Sequence, residues 1–398
     1  MKTVGIICEC NPFHGGHEYL IQKARSSGAD CVVAVMSGNF VQRGEAAAAD
    51  AHLRARALLS CGVDAVLELP FPYACAPAEF FAMAGIEILS RVGVNEVWFG
   101  SECGNLELLE RLAALTDMPD FQSAYARTVA QNCGTTEGYL KCISEFLGED
   151  VALSSNDLLG IAYLRAIAKS QSSLRPVTVK RQGSAYSETS LNPEAVYPCA
   201  TALRRKWKEA GIQSILGLLP EQAAKIYAEA ADFADLSYAE RLILGHFRLT
   251  SAERLESVAV LSGGLGARLK HAAAESSTLS EMLSLAATKK YPNARLLRGI
   301  LFALTGVEEA HLRTPPVYSR LLAANRVGCE FLSGLRKNKD FSVVTRRIDL
   351  PGTDAAKQQN EIEERAESLY ALCHAEPEPF VSRWQKKTVI LTDSERIQ

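Results

Sequence analysis

The residues best suited to chemistry stand near the start of the chain, in the run Asn11-Pro12-Phe13-His14-Gly15-Gly16-His17. Two histidines three positions apart, with two glycines between them, follow an apolar run and precede a stretch of helical spacing. At a helix N-terminus the first N–H groups lack intrahelical partners and the dipole end is positive, so phosphate is a natural guest. Gly15 and Gly16 let the backbone approach such an anion with no Cβ between. His14 and His17 can donate hydrogen bonds to phosphate oxygens and stabilise charge that builds on a pentacoordinate α-phosphorus. His-x-x-His is also half of a metal site, but no Cys, Asp or Glu nearby shows metal-ligand spacing, so no metal centre is expected. A second polar run, Ser37-Gly38-Asn39-Phe40-Val41-Gln42-Arg43-Gly44, follows another apolar stretch. It reads either as a plain turn or as a loop that closes over a substrate in the same cleft.

The elements that must hold these turns are legible in the hydrophobic pattern. Val4–Cys8, Cys31–Met36, Ala65–Leu69 and Glu96–Phe99 read as buried parallel strands. His17–Ser26, Asp50–Cys61 and Pro77–Val92 between them show helical spacing. This alternation predicts an α/β fold, a Rossmann-like doubly wound parallel sheet, followed by a mostly helical domain. In such sheets ligands sit beyond the carboxyl ends of the strands, where the strand order reverses. Residues 105–170 read as mostly helical, Pro176–Lys180 as a further strand, and Gly183–Pro198 as a loop. Ala200–Ala210 returns to helix, residues 212–310 are helical throughout, and Val317–Leu335 reads as one helix. A strand-like run at Phe341–Thr345 and a charged helix near 355–374 complete the pattern.

Composition narrows the class. With 398 residues, 47% hydrophobic and 22% charged, the chain is an ordinary globular one. Eleven cysteines without a Cys-x-x-Cys pair argue for reduced thiols. The N-terminal run resembles neither a signal nor a transit peptide, and no stretch reaches the length of a membrane span. A soluble cytoplasmic protein with no membrane partner is the expectation. Residues 1–150 carry 10 Lys and Arg against 19 Asp and Glu, and the remainder carries 33 against 27. An acidic front and a basic back fit a polyanion that touches only the later part, or scattered solvated charge.

His14-Gly15-Gly16-His17 resembles the His-x-Gly-His signature of the nucleotidyltransferase superfamily that includes class I aminoacyl-tRNA synthetases. Longer strings resemble something narrower, the tRNA(Met) cytidine acetate ligase family. They are Glu9–His17, Ala34–Glu45, Gly62–Pro70, Phe99–Glu102, Ser155–Ile161, Lys180-Arg181 and Ala200–Arg204, then Thr288–Tyr291 with Arg295 and Arg298, and Pro315-Pro316. The resemblance spans nearly the whole chain. Family members often carry Tyr where Cys10 stands, and Lys-Trp near Asp50-Ala51-His52.

The resemblance implies that ATP activates acetate to acetyl-adenylate. The acetyl group then passes to N4 of the wobble cytidine of elongator tRNA(Met), giving N4-acetylcytidine. ATP is expected with Mg2+ accompanying it. The implied domains are a catalytic ATP-binding unit over 1–210, a helical tRNA-contacting unit over 211–310, and an α/β segment over 311–398 that packs on the rest. His14, His17 and Arg204 are the implied catalytic residues. The nucleotide would be wrapped by Ile7, Cys8, Glu9, Cys10, Asn11, Pro12, Phe13, His14, Gly15, Gly16, His17, Glu18, Tyr19 and Leu20. Gly100 would let adenosine lie against the backbone, with Asn156, Arg181 and Thr201 as further nucleotide contacts. Glu102 would reach a cation or a ribose hydroxyl. For tRNA, the expected contacts are Lys180, Arg205, Lys206, Lys289, Lys290, Tyr291, Arg295 and Arg298, since basic side chains neutralise phosphates and Tyr stacks on unpaired bases. Trp207 would complete a second basic and aromatic cluster with Arg204, Arg205, Lys206 and Lys208.

Two other readings share the first signature: a small-molecule adenylyltransferase of coenzyme biosynthesis, and a non-catalytic RNA-binding protein with a nucleotide-binding fold. Pyrophosphate release separates the three. It depends on acetate for the ligase, depends on another substrate for the adenylyltransferase, and is absent for the binder.

Overall fold

The computed structural model describes residues 1–130, 134–182, 196–335, 341–377 and 379–391. Its centre is a sheet of β1 (Thr3–Cys8), β2 (Cys31–Ser37), β3 (Ala65–Leu69), β4 (Glu96–Ser101), β5 (Arg175–Lys180), β6 (Tyr318–Asn325), β7 (Ser342–Val344) and β8 (Val389–Leu391). The order is β5-β4-β1-β2-β3-β6-β7, with β8 on β6. β1 pairs in parallel with both β2 and β4, so the chain runs outward through β2 and β3 and then crosses back to the far side of β1. The strand order therefore reverses at β1/β4, and the crevice for a ligand opens there.

The parallel strands are apolar on both sides because helices cover both faces. In β2, Val32, Ala34 and Met36 enter one core with Ile21, Leu58 and Trp98, while Val33 and Val35 enter the other with Phe81, Leu89 and Ile161. A third core joins the helices of residues 240–305 to Phe40 and Phe71 beyond β2 and β3, and to Ile362, Ala366, Leu369 and Tyr370 of helix Asp354–Tyr370. The turns that carry the chemistry are thus buttressed from three sides.

One expectation is corrected. Val317–Leu335 is not one helix: Tyr318–Asn325 is strand β6, antiparallel to β3, and only Arg326–Ser333 is helical. All eight residues of β6 are buried, so the segment shows neither a helical nor an alternating period, and a continuous buried run is ambiguous between the two. The sheet is accordingly mostly parallel but mixed. The loop read at Gly183–Pro198 lies outside the described residues as far as position 195.

Candidate active site

The signature turn leaves β1 and passes through Cys10, whose φ of 49° is left-handed, a conformation that costs a non-glycine residue about 1 kcal/mol. Surrounding bonds hold it there. Tyr227, fully buried on a later helix, accepts from Phe13 N–H at 3.0 Å and donates to Cys10 C=O at 3.2 Å. Arg204 Nη1 donates to Asn11 C=O at 2.8 Å, and Asn11 Oδ1 accepts from Ala48 N–H at 2.8 Å. Arg54, with no exposed surface, donates to the carbonyls of Glu9 (2.6 Å), Ser37 (3.1 Å), Ala49 (2.9 Å) and Gly38. It ties the turn after β1 to the turn after β2.

His14 is the N-cap of helix Gly15–Ser26 and His17 stands one turn later. His14 Nδ1 accepts from Gly16 N–H at 3.0 Å, and His17 Nδ1 accepts from His14 N–H at 3.2 Å. With both Nδ1 atoms accepting, each neutral ring must carry its proton on Nε2, the donor that a phosphate needs. The rings lie 4.0 Å apart between centroids. Burial, then the neighbouring His17, Arg181 and Arg204, hold His14 well below the usual histidine range, and burial followed by Arg181 lowers His17 to about 3. Both rings are neutral donors at pH 7, and the positive charge of the site comes from the two arginines. A pH consequence follows. Because burial and the neighbouring arginines hold both rings below the ordinary histidine range, the rate of nucleotide activation should show no histidine-like acid limb between pH 7 and 5.5. A limb with a midpoint near 6.5, removed by His14→Asn or His17→Asn, would show that the rings ionise.

Across the crevice, the end of β4 supplies the other wall. A Cβ on Gly100 would stand 3.1 Å from Arg181 Cγ, so glycine keeps this edge flat. Asp157, buried, accepts from Ser101 Oγ (2.8 Å), Cys103 N–H (3.1 Å) and Ser154 N–H (2.9 Å), welding β4 to helix Ser155–Ser170. Ser154 is that helix's N-cap, which leaves Asn156 free of capping. Asn156 Nδ2 instead donates to Glu102 Oε1 at 2.7 Å, and Arg181 Nε lies 3.5 Å from the same oxygen. Glu102 Oε2 is buried and has no partner among the described residues.

His14 stands in the field of His17, Arg181 and Arg204, and Arg181 in turn abuts Gly100 and the Glu102–Asn156 pair. Thr201 is half-buried, three positions before Arg204 on helix Ala200–Ala210. Lys180 is exposed at the end of β5, Arg205 is exposed and pairs with Glu209 at 2.8 Å, and Lys206 is half-buried. Trp207 is not available to a base. It is 2% exposed and packs edge-on against Tyr227 and Phe233, because the apolar face of its helix closes on the sheet. Lys290 and Arg295 flank Tyr291 at 5.4 and 5.1 Å from its ring, and Lys289 is exposed. Arg298 leaves that group: its Nε donates to Gln42 C=O at 2.9 Å, and burial lowers it to about 10.

Sequence reasoning missed Arg54, Tyr227 and Tyr197. A Cβ on Gly15 would meet the Tyr197 ring at 2.2 Å, so that ring lies directly on the signature helix. No local pattern marks these residues, since each acts across a long separation in sequence.

The chain matches the family model described as HIGH Nucleotidyl Transferase over residues 1–383. It is 34% identical over 359 residues to the tRNA(Met) cytidine acetate ligase of Syntrophotalea carbinolica, covering 87% of this chain and 85% of that protein. The ligase of Caldicellulosiruptor bescii is 30% identical over 99% of this chain and 100% of its own length. Among solved structures, apo Thermotoga maritima TmcAL aligns with a TM-score of 0.90 at 29% identity, covering 98% of this chain and all of that one. The same protein bound with alpha-thio ATP aligns with a TM-score of 0.87. The chain therefore belongs to the HIGH nucleotidyl transferases and, among them, to the tRNA(Met) cytidine acetate ligase family.

Proposed function

We propose that this protein activates acetate with ATP and transfers the acetyl group to N4 of the wobble cytidine of elongator tRNA(Met) in the cytoplasm. The observation that carries the reading is the pair of tautomer-fixed, neutral histidines at the sheet's switch point, in a chain whose relatives bear that activity by name. ATP lies in the β1/β4 crevice, with adenosine along Gly100, its phosphates on the N-terminus of helix Gly15–Ser26, and Arg181 and Arg204 beside them. A carboxylate oxygen of acetate attacks the α-phosphorus, and the bond to the β-phosphate oxygen breaks to release pyrophosphate. The Nε2–H groups of His14 and His17 meet the charge that builds on the α-phosphoryl oxygens. The cytidine amine then attacks the acyl carbon, its proton leaves to solvent, and AMP departs with the carboxyl oxygen. Positioning dominates both steps.

Among the described residues no group of three or more His, Cys, Asp or Glu is placed to hold an ion. The residues therefore fit Mg2+ only as an ion carried on the nucleotide's phosphates. Among the described residues no helix is long and apolar enough to cross a membrane.

Residues 1–210 form the catalytic unit in this reading, 211–310 the tRNA-contacting unit, and 311–398 the segment that packs on both. Lys289, Lys290, Tyr291 and Arg295 make the tRNA surface, with Lys180, Arg205 and Lys206 nearer the crevice. Arg298 bonds to the Gln42 turn and links that surface to the active site. The triple variant Lys289→Ala, Lys290→Ala, Arg295→Ala should keep acetate-dependent pyrophosphate release within about twofold. It should lose acetyl transfer by about 10-fold or more, mainly through tRNA binding, since phosphate contacts position a nucleic acid without performing the chemistry. Its tRNA affinity should also depend less steeply on salt, as fewer counterions are released. Equal loss of both half-reactions in a folded variant contradicts this division.

A further inference from the structure

Two amide side chains beside the signature turn hold buried N–H donors that nothing among the described residues accepts: Asn11 Nδ2 and Gln42 Nε2. An orphaned buried donor costs roughly 1–3 kcal/mol, and native proteins keep few of them. Asn11 is 3% exposed, and its orientation is fixed, because Oδ1 must face Ala48 N–H. Gln42 is held through its backbone on both sides. Its N–H donates to Glu9 Oε1 at 2.9 Å, and its C=O accepts from Arg298 Nε at 2.9 Å.

The two residues hang from one closed circuit of contacts. Arg204 bonds to Asn11 C=O through Nη1, and its Nη2 lies 3.7 Å from Glu45 Oε2. Glu45 C=O accepts from Val41 N–H at 3.0 Å, and the neighbouring Gln42 returns to Glu9, two residues before Asn11. The circuit lies between the turns after β1 and β2. Adenosine is expected on the opposite side, along β4 and β5. Both orphan donors belong to the turns after β1 and β2, which leaves the β2 side of His14, away from adenosine, for a carboxylate that attacks an α-phosphorus held there.

We propose that Asn11 Nδ2 and Gln42 Nε2 form the acyl-substrate subsite, each donating to a carboxylate oxygen of acetate, with Arg204 supplying the nearby positive charge. This site rests on the reading of the protein as an acetate-activating enzyme and adds the residues that hold the acid. Two neutral donors suit that role, because they orient the carboxylate without forming an ion pair that would blunt its nucleophilicity. The charged groups around the site are Glu9, Glu45, Arg43, Arg54, Arg204 and Arg298. Burial raises the Glu9 carboxyl, while Gln42 N–H, Arg204 and Arg43 lower it. The arginines offset the two carboxylates that would otherwise repel acetate.

Gln42→Met keeps the length of the side chain and removes the donor. Asn11→Asp keeps the acceptor for Ala48 N–H and puts a negative oxygen where the donor was. In acetate-dependent pyrophosphate release, Gln42→Met should raise KM for acetate by about 10-fold or more and keep KM for ATP within about twofold. Asn11→Asp should raise KM for acetate further. Unchanged KM for acetate in folded Gln42→Met overturns the subsite, as does a parallel rise for ATP, which would assign the amides to the nucleotide. If Asn11→Asp does not fold, Gln42→Met decides alone. Wild-type protein that releases pyrophosphate with no dependence on acetate fails in a different way: it removes the acetate-activating reading, and the subsite with it.

Discussion

His14→Ala and His17→Ala are each expected to lower acetate-dependent pyrophosphate release by roughly 10²-fold or more, the scale of losing one preorganised donor to a developing oxyanion. The loss should fall on kcat, because the donors strengthen as charge builds on the α-phosphoryl oxygens. His14→Asn is the informative companion. An asparagine N-cap can still accept from the helix backbone, so it separates the capping role of His14 Nδ1 from the donating role of Nε2. If Nε2 carries the effect, His14→Asn restores stability but little rate. A double variant that folds and releases pyrophosphate at the wild-type rate is incompatible with the site described here.

Arg383→Met should be the most destabilising single change. The Arg383 side chain is 3% exposed and ion-pairs with both Glu68 and Glu363, which are themselves buried or nearly so. Tyr318 OH also donates to Glu363, and Gln359 Nε2 does so at 3.2 Å. Removing one partner of a buried pair leaves the other charge uncompensated, at a cost of about 3–5 kcal/mol. The sign of the pH dependence is fixed. Burial already raises Glu363 to about 7 against the pull of Arg383, and losing the arginine raises it further. A carboxyl whose folded pKa exceeds its unfolded value favours folding at low pH and loses that contribution as pH rises through the folded pKa. The gap in Tm between wild type and Arg383→Met should therefore widen from pH 5.5 to pH 8. A gap that narrows over this range would show that the carboxylates do not depend on Arg383.

Legibility in the sequence follows physical locality. β1 to β4 and the helices between them are readable because each is a short buried run next to an amphipathic one, and β5, half-buried at the sheet edge, is readable from its Val-rich stretch. The signature turn is readable because a phosphate site at a helix N-terminus needs its His and Gly residues in one stretch. β6 is not, because its buried run includes Ser319, Arg320 and Asn325 and passes directly into helix Arg326–Ser333 with no turn residue to separate them. Arg383 and β8 are not, because their partners stand more than 60 residues away in sequence or, for Glu363, across a turn that no pattern marks. At the site, the sequence marks Asn156 as a nucleotide contact but not its neighbours, and the structure makes Ser154 the N-cap and Glu102 the partner of Asn156. Trp207 misleads because a basic helix shows its charges in sequence but not the face it buries. Arg298 sits in the same sequence cluster as Arg295, yet its place on the helix sends its guanidinium to Gln42.

The most direct test of the central claim is exchange of labelled pyrophosphate into ATP by purified protein with acetate and without tRNA. The half-reaction proposed for the His14/His17 crevice predicts exchange that requires acetate, runs in the absence of tRNA, and disappears in the His14→Ala, His17→Ala double variant. With labelled acetate in place of labelled pyrophosphate, addition of tRNA should then carry the label to cytidine. Exchange that ignores acetate, or that persists in the folded double variant, would contradict the account.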